Sequence, residues 1–109
     1  MEIRLYLLQR ITAMIMAPLV LLHLAVMIYA VQGGLSAAEI LGRTQGSFFW
    51  GIIYGLFVLC VSIHAGIGLQ AILREWGRLG DRAAAIASHL FMLALLVLGL
   101  RAVWAVVAA

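Results

Sequence analysis

Three histidines are the side chains of this sequence best placed for chemistry, because each lies inside a long apolar run. They are His23, His64 and His89. A polar group inside a membrane is costly, so each imidazole needs a partner or a function. For His23 and His89 the simplest role is a hydrogen bond between helices, as is common in packed membrane proteins.

His64 differs from the other two because it opens the segment His64-Ala65-Gly66-Ile67-Gly68. Residues four apart share a helix face, so Gly68 lies beside the imidazole. A glycine there leaves a flat space in which a porphyrin ring bonded to the imidazole could lie against the backbone. The spacing alone allows two interpretations: an axial haem ligand, or a histidine packed beside a small residue.

Arg10 lies at the start of the first apolar run, where a long cationic side chain can reach towards the membrane. Haem propionates are anionic, and an arginine can bind a carboxylate through two parallel hydrogen bonds. Arg10 is therefore either a partner of a haem propionate or a simple marker of the membrane interface.

Small residues form a second stripe on the middle apolar run, roughly opposite the His64 face. Its members are Gly51, Gly55, Ser62 and Gly66. Such a stripe suits the close approach of another helix. Because three helices offer little room to enclose a macrocycle, we predict that a second small membrane subunit packs against this chain.

The elements that must position these residues are membrane-spanning helices. The chain has 109 residues, of which 67% are apolar and only 10% are charged, and its mean hydropathy is +1.20. A soluble domain of this length could not bury so much apolar surface. We predict an all-α integral membrane protein, a single transmembrane domain over residues 1–109 with spans at about 11–31, 48–73 and 83–107.

The basic residues predict the orientation of these spans. All seven are arginines, and their scattered positions do not form a nucleic-acid patch. They concentrate in the N-terminal segment and in the connection between the second and third spans. By the positive-inside rule, the N-terminus and that connection are cytoplasmic, or face the matrix of an organelle, and the C-terminus lies outside.

Two motifs resemble elements of the small membrane subunits of complex II, succinate:quinone oxidoreductase. Arg10-Ile11-Thr12-Ala13 is similar to the Arg-x-Thr-Ala or Arg-x-Thr-Gly element that opens their first span. The segment from His64 to Gly68 resembles the His-Ala-x-Ile-Gly element in the second span of the hydrophobic anchor subunit. The cytochrome b subunit typically has a serine four residues before its arginine, where Tyr6 stands here, so the anchor subunit is the better match.

The resemblance implies roles for particular residues. His64 corresponds to an axial ligand of the iron of haem b, and this haem would be shared with the second small subunit. Gly68 belongs to the same sequence element as His64. Arg10 corresponds to an arginine near a haem propionate and the quinone pocket. The family's Asp-Tyr pair near the quinone corresponds to Glu75 and Trp76, whose indole N–H can donate a hydrogen bond. The quinone would be ubiquinone or menaquinone.

The implied function is to anchor a flavoprotein subunit and an iron–sulfur subunit to the inner, cytoplasmic membrane, or to the mitochondrial inner membrane in a eukaryote. The chain has no flavin motif and only one cysteine, Cys60, so we expect it to be a non-catalytic subunit. Two alternatives stay open: the anchor of a fumarate reductase, and a non-redox structural membrane protein. A proton-coupled transporter is disfavoured because no Asp or Glu lies inside the predicted spans.

Overall fold

The computed structural model describes residues 3–108, and they form four α-helices without a strand among them. The helices are α1 (Ile3–Gly33), α2 (Ala37–Thr44), α3 (Phe48–Glu75) and α4 (Asp81–Val107). Three of them, α1, α3 and α4, are long and apolar enough to cross a membrane. The predicted all-α fold with three transmembrane helices is confirmed.

The three long helices extend beyond the predicted spans because hydropathy marks only the stretch that suits hydrocarbon. Helix α1 begins at Ile3, so Arg4 and Arg10 lie on the helix itself rather than on a separate tail. Pro18 lies inside α1 without ending it. In lipid, an uninterrupted helix pairs the backbone groups within one segment, which favours this continuity.

The short helix α2 was not predicted, and local hydrogen bonds account for it. Ser36 caps its N-terminus: the Ser36 hydroxyl accepts from the Glu39 N–H at 3.2 Å, and a Glu39 carboxylate oxygen accepts from the Ser36 N–H at 3.1 Å. The Ser36 hydroxyl also lies 2.9 Å from the Glu39 carboxylate, to which it donates. This bond and the one from the Ser36 N–H, followed by the charge of Arg43, lower the pKa of Glu39 below its ordinary 4.5. This reciprocal pair is a capping box, and it starts a helix in a connection that its glycines suggest is irregular.

Helix α3 lies between α1 and α4. Against α4 it packs closely: Gly66 faces Met92, Gly51 faces Val107, and a Cβ built on Gly99 would lie 2.5 Å from Val58 Cγ1. The small-residue stripe of α3 therefore packs largely against α4 of the same chain. The stripe is therefore no argument for a partner subunit. That prediction still rests on the limited room within three helices and on the resemblance to complex II subunits.

The ends of the helices sort into two groups. At one end, Leu5 of α1 lines a groove together with Arg74 of α3 and Asp81 of α4. At the other end, the Gly46 N–H, just after α2, donates to the Val107 carbonyl of α4 at 2.6 Å. The arginine-rich segments thus share one end of the bundle, which is called the inner end below.

Candidate functional site

A polar contact joins α1 and α3 at the level of His64. Thr12 Oγ1 lies 3.3 Å from His64 Nδ1. The same hydroxyl oxygen lies 2.8 Å from the Leu8 carbonyl and 3.0 Å from the Gln9 carbonyl, both on α1. Of the described α1 residues, Thr12 alone is buried, with 5% of its surface exposed. The crossing of α1 and α3 is therefore centred on a hydroxyl–imidazole contact.

The second nitrogen of His64 makes no such contact. Within residues 3–108 the one hydrogen bond of this side chain is the contact of Nδ1 with Thr12. The ring is half-buried. Nε2 thus keeps the capacity to bind a metal ion or to form another hydrogen bond.

Gly68 follows His64 by one helical turn and faces α1. A Cβ built on Gly68 would lie 3.5 Å from Gln9 Nε2, which is an ordinary van der Waals contact. The Gln9 Oε1 atom is buried and has no hydrogen-bond partner among the described residues. The space beside Gly68 is thus bordered by a glutamine, and a porphyrin against Gly68 stays a prediction.

Arg10 does not share the side of α1 that contacts His64. It is exposed, and its guanidinium lies 6.0 Å from the centre of the Tyr6 ring. Because residues two apart project from different sides of a helix, Arg10 leaves α1 away from Thr12. Within the Arg-x-Thr-Ala element, Thr12 is therefore the residue that reaches His64, and the sequence analysis did not single it out.

The candidate quinone residues are not brought together within this chain. Glu75 lines a groove of about 320 Å³ at the inner end, beside the ion pair of Arg74 Nε and Asp81 Oδ1 at 3.0 Å. Trp76 caps the end of α3, is 82% exposed and does not line that groove. Arg10 does not line it either. If the three serve one quinone, other chains must complete the site.

A family model described as the succinate dehydrogenase/fumarate reductase transmembrane subunit matches residues 2–103. The chain belongs to this family. The match includes both motifs and confirms the resemblance to a small membrane subunit of complex II. No curated protein and no solved structure matches the chain.

His64 suits the haem of a complex II membrane subunit better than it suits a free metal ion. No three His, Cys, Asp or Glu side chains in the described part of the chain group closely enough to hold a metal ion. A haem iron needs only axial ligands from protein, because the porphyrin supplies the others. One half-buried imidazole with Nδ1 engaged and Nε2 unbonded fits that requirement.

Within residues 3–108 the other two histidines do not make the interhelical hydrogen bonds predicted for them. His23 lies between the rings of Tyr54 and Phe57, at 6.1 and 5.4 Å between ring centres, and its buried Nδ1 has no partner among residues 3–108. His89 is exposed on α4 and uses Nδ1 for the Ala85 carbonyl of its own helix, 2.5 Å away. Aromatic rings of α3 therefore surround His23 in place of a hydrogen-bond partner, and His89 bonds to a carbonyl of its own helix instead of another helix.

A second groove, of about 350 Å³, runs between α1, α3 and α4 on the inner half. Most of its lining is apolar, but Gln70, Ser88 and His89 are polar. Ser88 Oγ lies 3.5 Å from Gln70 Oε1 and donates to the Ala85 carbonyl at 3.0 Å. Gln70 lines both grooves, and it was not among the candidate residues predicted from the sequence. A glutamine inside an apolar run was the signal available for it.

Proposed function

We propose that the chain is the membrane-anchor subunit of a succinate:quinone oxidoreductase. In this role it holds a flavoprotein and an iron–sulfur subunit at the membrane, shares a haem b with a second small membrane subunit and helps to form the quinone site. The membership of the family, which is associated with cytochrome b and quinone binding in complex II, supports the class of protein. The observation that carries the haem assignment is the half-buried His64 with its unbonded Nε2.

Each residue has a distinct part in this proposal. His64 would hold the iron through Nε2, and the ring would lie beside Gly68 once the Gln9 side chain, which now lies against that glycine, moves aside. The haem supplies one-electron redox chemistry when it is bound. His23 and His89 lie against other neighbours, so a second protein ligand for the iron would come from the second small subunit. Arg10, on the exposed side of α1, pairs with a propionate near the boundary with that subunit.

The quinone, ubiquinone or menaquinone, binds at the inner end in this proposal. Glu75 lines the inner groove next to Arg74, so a polar head group could find both an acceptor and a cationic donor there. Trp76 is exposed on the same turn of chain, where its indole N–H can donate to a quinone held between subunits. The quinone pocket is then shared among chains, with Arg10 as a further contact.

The inner end faces the cytoplasm or the mitochondrial matrix, and the C-terminus lies on the opposite side. The grouping of the N-terminal part of α1 with the α3–α4 connection supports this orientation, because it puts the arginine-rich segments at one end. The soluble subunits then bind at that end. The membrane is the bacterial inner membrane or the mitochondrial inner membrane.

His64→Ala in the assembled complex tests the proposal. We expect the low-spin haem spectrum to disappear, or to be replaced by that of a high-spin, five-coordinate haem held by the partner subunit alone. His89→Ala is the matched control, because His89 is exposed and bonded to its own helix. An unchanged low-spin spectrum in His64→Ala would overturn the haem assignment. A purified complex without any haem would favour a subunit of the same family that lacks the cofactor.

A further inference from the structure

We infer that Thr12 is a positioning residue for His64: its hydroxyl accepts a hydrogen bond from Nδ1–H and so holds the imidazole in the tautomer whose Nε2 lone pair would be available to a haem iron. This inference rests on the proposed function. It assigns a role to the threonine of the Arg-x-Thr-Ala element, which contacts His64 across the boundary between α1 and α3.

The direction of this hydrogen bond follows from counting protons. A threonine hydroxyl has one proton to donate and two lone pairs that can accept. Two carbonyl oxygens of its own helix lie nearer to Thr12 Oγ1 than the imidazole does, at 2.8 and 3.0 Å against 3.3 Å. The proton goes to a carbonyl, so the oxygen meets His64 as an acceptor. Nδ1 must then carry the proton of the neutral ring.

Burial prevents the hydroxyl from being replaced or reoriented easily. Only 5% of the Thr12 surface is exposed, and in a protein interior a lost hydrogen bond is not compensated by water. The β-branched side chain of a threonine has few rotamers in a helix, and in this one the Thr12 hydroxyl lies against two carbonyls of the preceding turn. The acceptor is therefore fixed on α1 before the haem binds.

The tautomer decides which nitrogen can bind iron. In a neutral imidazole one nitrogen is a donor and the other an acceptor. With Nδ1 protonated, the lone pair is on Nε2, the nitrogen that has no hydrogen bond within residues 3–108. A hydrogen bond from the outer nitrogen of a ligating histidine also orients the ring and makes the ligand more basic.

A more basic axial ligand stabilises the oxidised iron, so loss of the Thr12 hydroxyl should raise the midpoint potential of the haem. It should also weaken haem retention, by about 10- to 100-fold as for other residues that orient a metal ligand. The rise in potential reports the basicity of the ligand, whereas weaker haem retention on its own could also follow from a change in packing, so the two properties are measured together.

The experiment compares Thr12→Val and Thr12→Ser in the purified, assembled complex. Valine keeps the shape of threonine but removes the hydroxyl, and serine keeps the hydroxyl. Potentiometric titration gives the midpoint potential, and the electron paramagnetic resonance spectrum of the oxidised haem reports the axial ligands. We expect Thr12→Val to raise the potential and release haem more easily, and Thr12→Ser to restore both properties towards the parent.

Ser62→Ala is the matched control. Ser62 is also buried on a helix, with 1% of its surface exposed, and it lies two residues before His64. Its hydroxyl donates to the Val58 carbonyl of its own helix and makes no other hydrogen bond among the described residues. Its removal should leave the midpoint potential unchanged. If valine at position 12 prevents assembly, Thr12→Ala removes the same hydroxyl with less bulk.

The outcomes separate this inference from the function on which it rests. If His64→Ala abolishes the low-spin spectrum but Thr12→Val and Thr12→Ala keep the parent potential and haem retention, the positioning role is wrong and the haem assignment stands. If Thr12→Ser behaves like Thr12→Val, the methyl group and packing matter rather than the hydroxyl, and the inference fails. An intact low-spin spectrum in His64→Ala overturns both, because Thr12 would have no ligand to position.

Discussion

The two sides of α3 are built differently. The side that faces α4 is closely packed and mostly apolar, with glycines at the contacts and buried residues on both helices. Apart from Ser88 and Gln70 on the α4 side, the polar groups described above lie on the side that faces α1: Thr12 against His64, Gln9 against Gly68, and His23 among aromatic rings. The α3–α4 boundary is therefore the more closely packed of the two, whereas the α1–α3 boundary contains the residues that we propose to hold a cofactor.

This division agrees with the cost of polar groups in a membrane. An apolar boundary needs only close packing, which glycines permit because helix backbones can approach one another. Polar side chains at a boundary within the membrane cost free energy unless they form hydrogen bonds with one another or bind a ligand. Two polar atoms at the α1–α3 boundary, Gln9 Oε1 and His23 Nδ1, are buried without a hydrogen-bond partner among residues 3–108. In the same part of the chain, no buried polar side-chain atom without a partner lies between α3 and α4.

The largest effect on stability is expected from Gly99→Ala, which enlarges a residue of the α3–α4 boundary. The new Cβ would lie 2.5 Å from Val58 Cγ1 and 3.0 Å from Cγ2, and a valine side chain on a helix has little rotamer freedom to move aside. We expect a loss of about 1–3 kcal/mol, as for other overpacked positions. The measurement is the thermal unfolding of the detergent-solubilised complex.

Gly55→Ala is the matched control for Gly99→Ala. A Cβ built on Gly55 meets no described atom within 4 Å, although Gly55 belongs to the stripe of small residues by which α3 packs largely against α4. Because alanine forms helix more readily than glycine, its stability should stay within about 1 kcal/mol of the parent or increase. Equal losses for both variants would contradict the assignment of close packing to Gly99 and Val58.

The sequence was sufficient to predict the long helices, because an apolar run that crosses a membrane can hardly adopt another structure. It also singled out His64, which lies in a recognisable element and whose role as a haem ligand stays a prediction. The stripe of small residues was correctly expected to receive a helix, but spacing cannot tell a helix of the same chain from one of a partner. The capping box of Ser36 and Glu39 follows the Ser-x-x-Glu pattern, so helix α2 could have been predicted from the sequence in spite of the two glycines that precede it.

The contact between Thr12 and His64 could not have been derived from the sequence by spacing. The two residues are 52 positions apart, and their meeting depends on the angle and level at which α1 crosses α3. The same reason separates Arg10 from Thr12: a motif lists neighbours in the chain, whereas the helix sends residues two apart in different directions. The quinone candidates were each matched to a family element, and such matching carries no information about their distances.

A second prediction changes the α1–α3 boundary without overpacking it. Gly68→Ala places a Cβ 3.5 Å from Gln9 Nε2, an ordinary contact, so the thermal stability of the complex should change by less than about 1 kcal/mol. If a porphyrin lies against Gly68, the added methyl group should nevertheless lower the haem content or alter the low-spin spectrum. Parallel measurements of unfolding and of the haem spectrum separate the two effects.

A stable Gly68→Ala complex with a normal haem content and spectrum would show that Gly68 serves only the contact with Gln9. That result would remove Gly68 from the cofactor site while leaving His64 in it. The opposite pattern to Gly99→Ala, with intact stability and altered haem, is what the difference between the two boundaries predicts.

The smallest effect is expected from a change outside both boundaries, in the connection between α3 and α4. Arg78 is exposed there, and its backbone φ of 55° holds it in a tight turn at the inner end. We expect Arg78→Glu to weaken the retention of the iron–sulfur and flavoprotein subunits at moderate salt, by about 1 kcal/mol or less, as for exposed ion pairs. Stability of the membrane part and the haem spectrum should not change.

Co-purification of the soluble subunits across a series of salt concentrations measures the effect, which should shrink as ionic strength rises because exposed charges are screened. Arg78→Gln is the control for charge reversal and should give an intermediate loss. Equal retention of the soluble subunits by parent and Arg78→Glu at every ionic strength would place the docking surface elsewhere on the inner end.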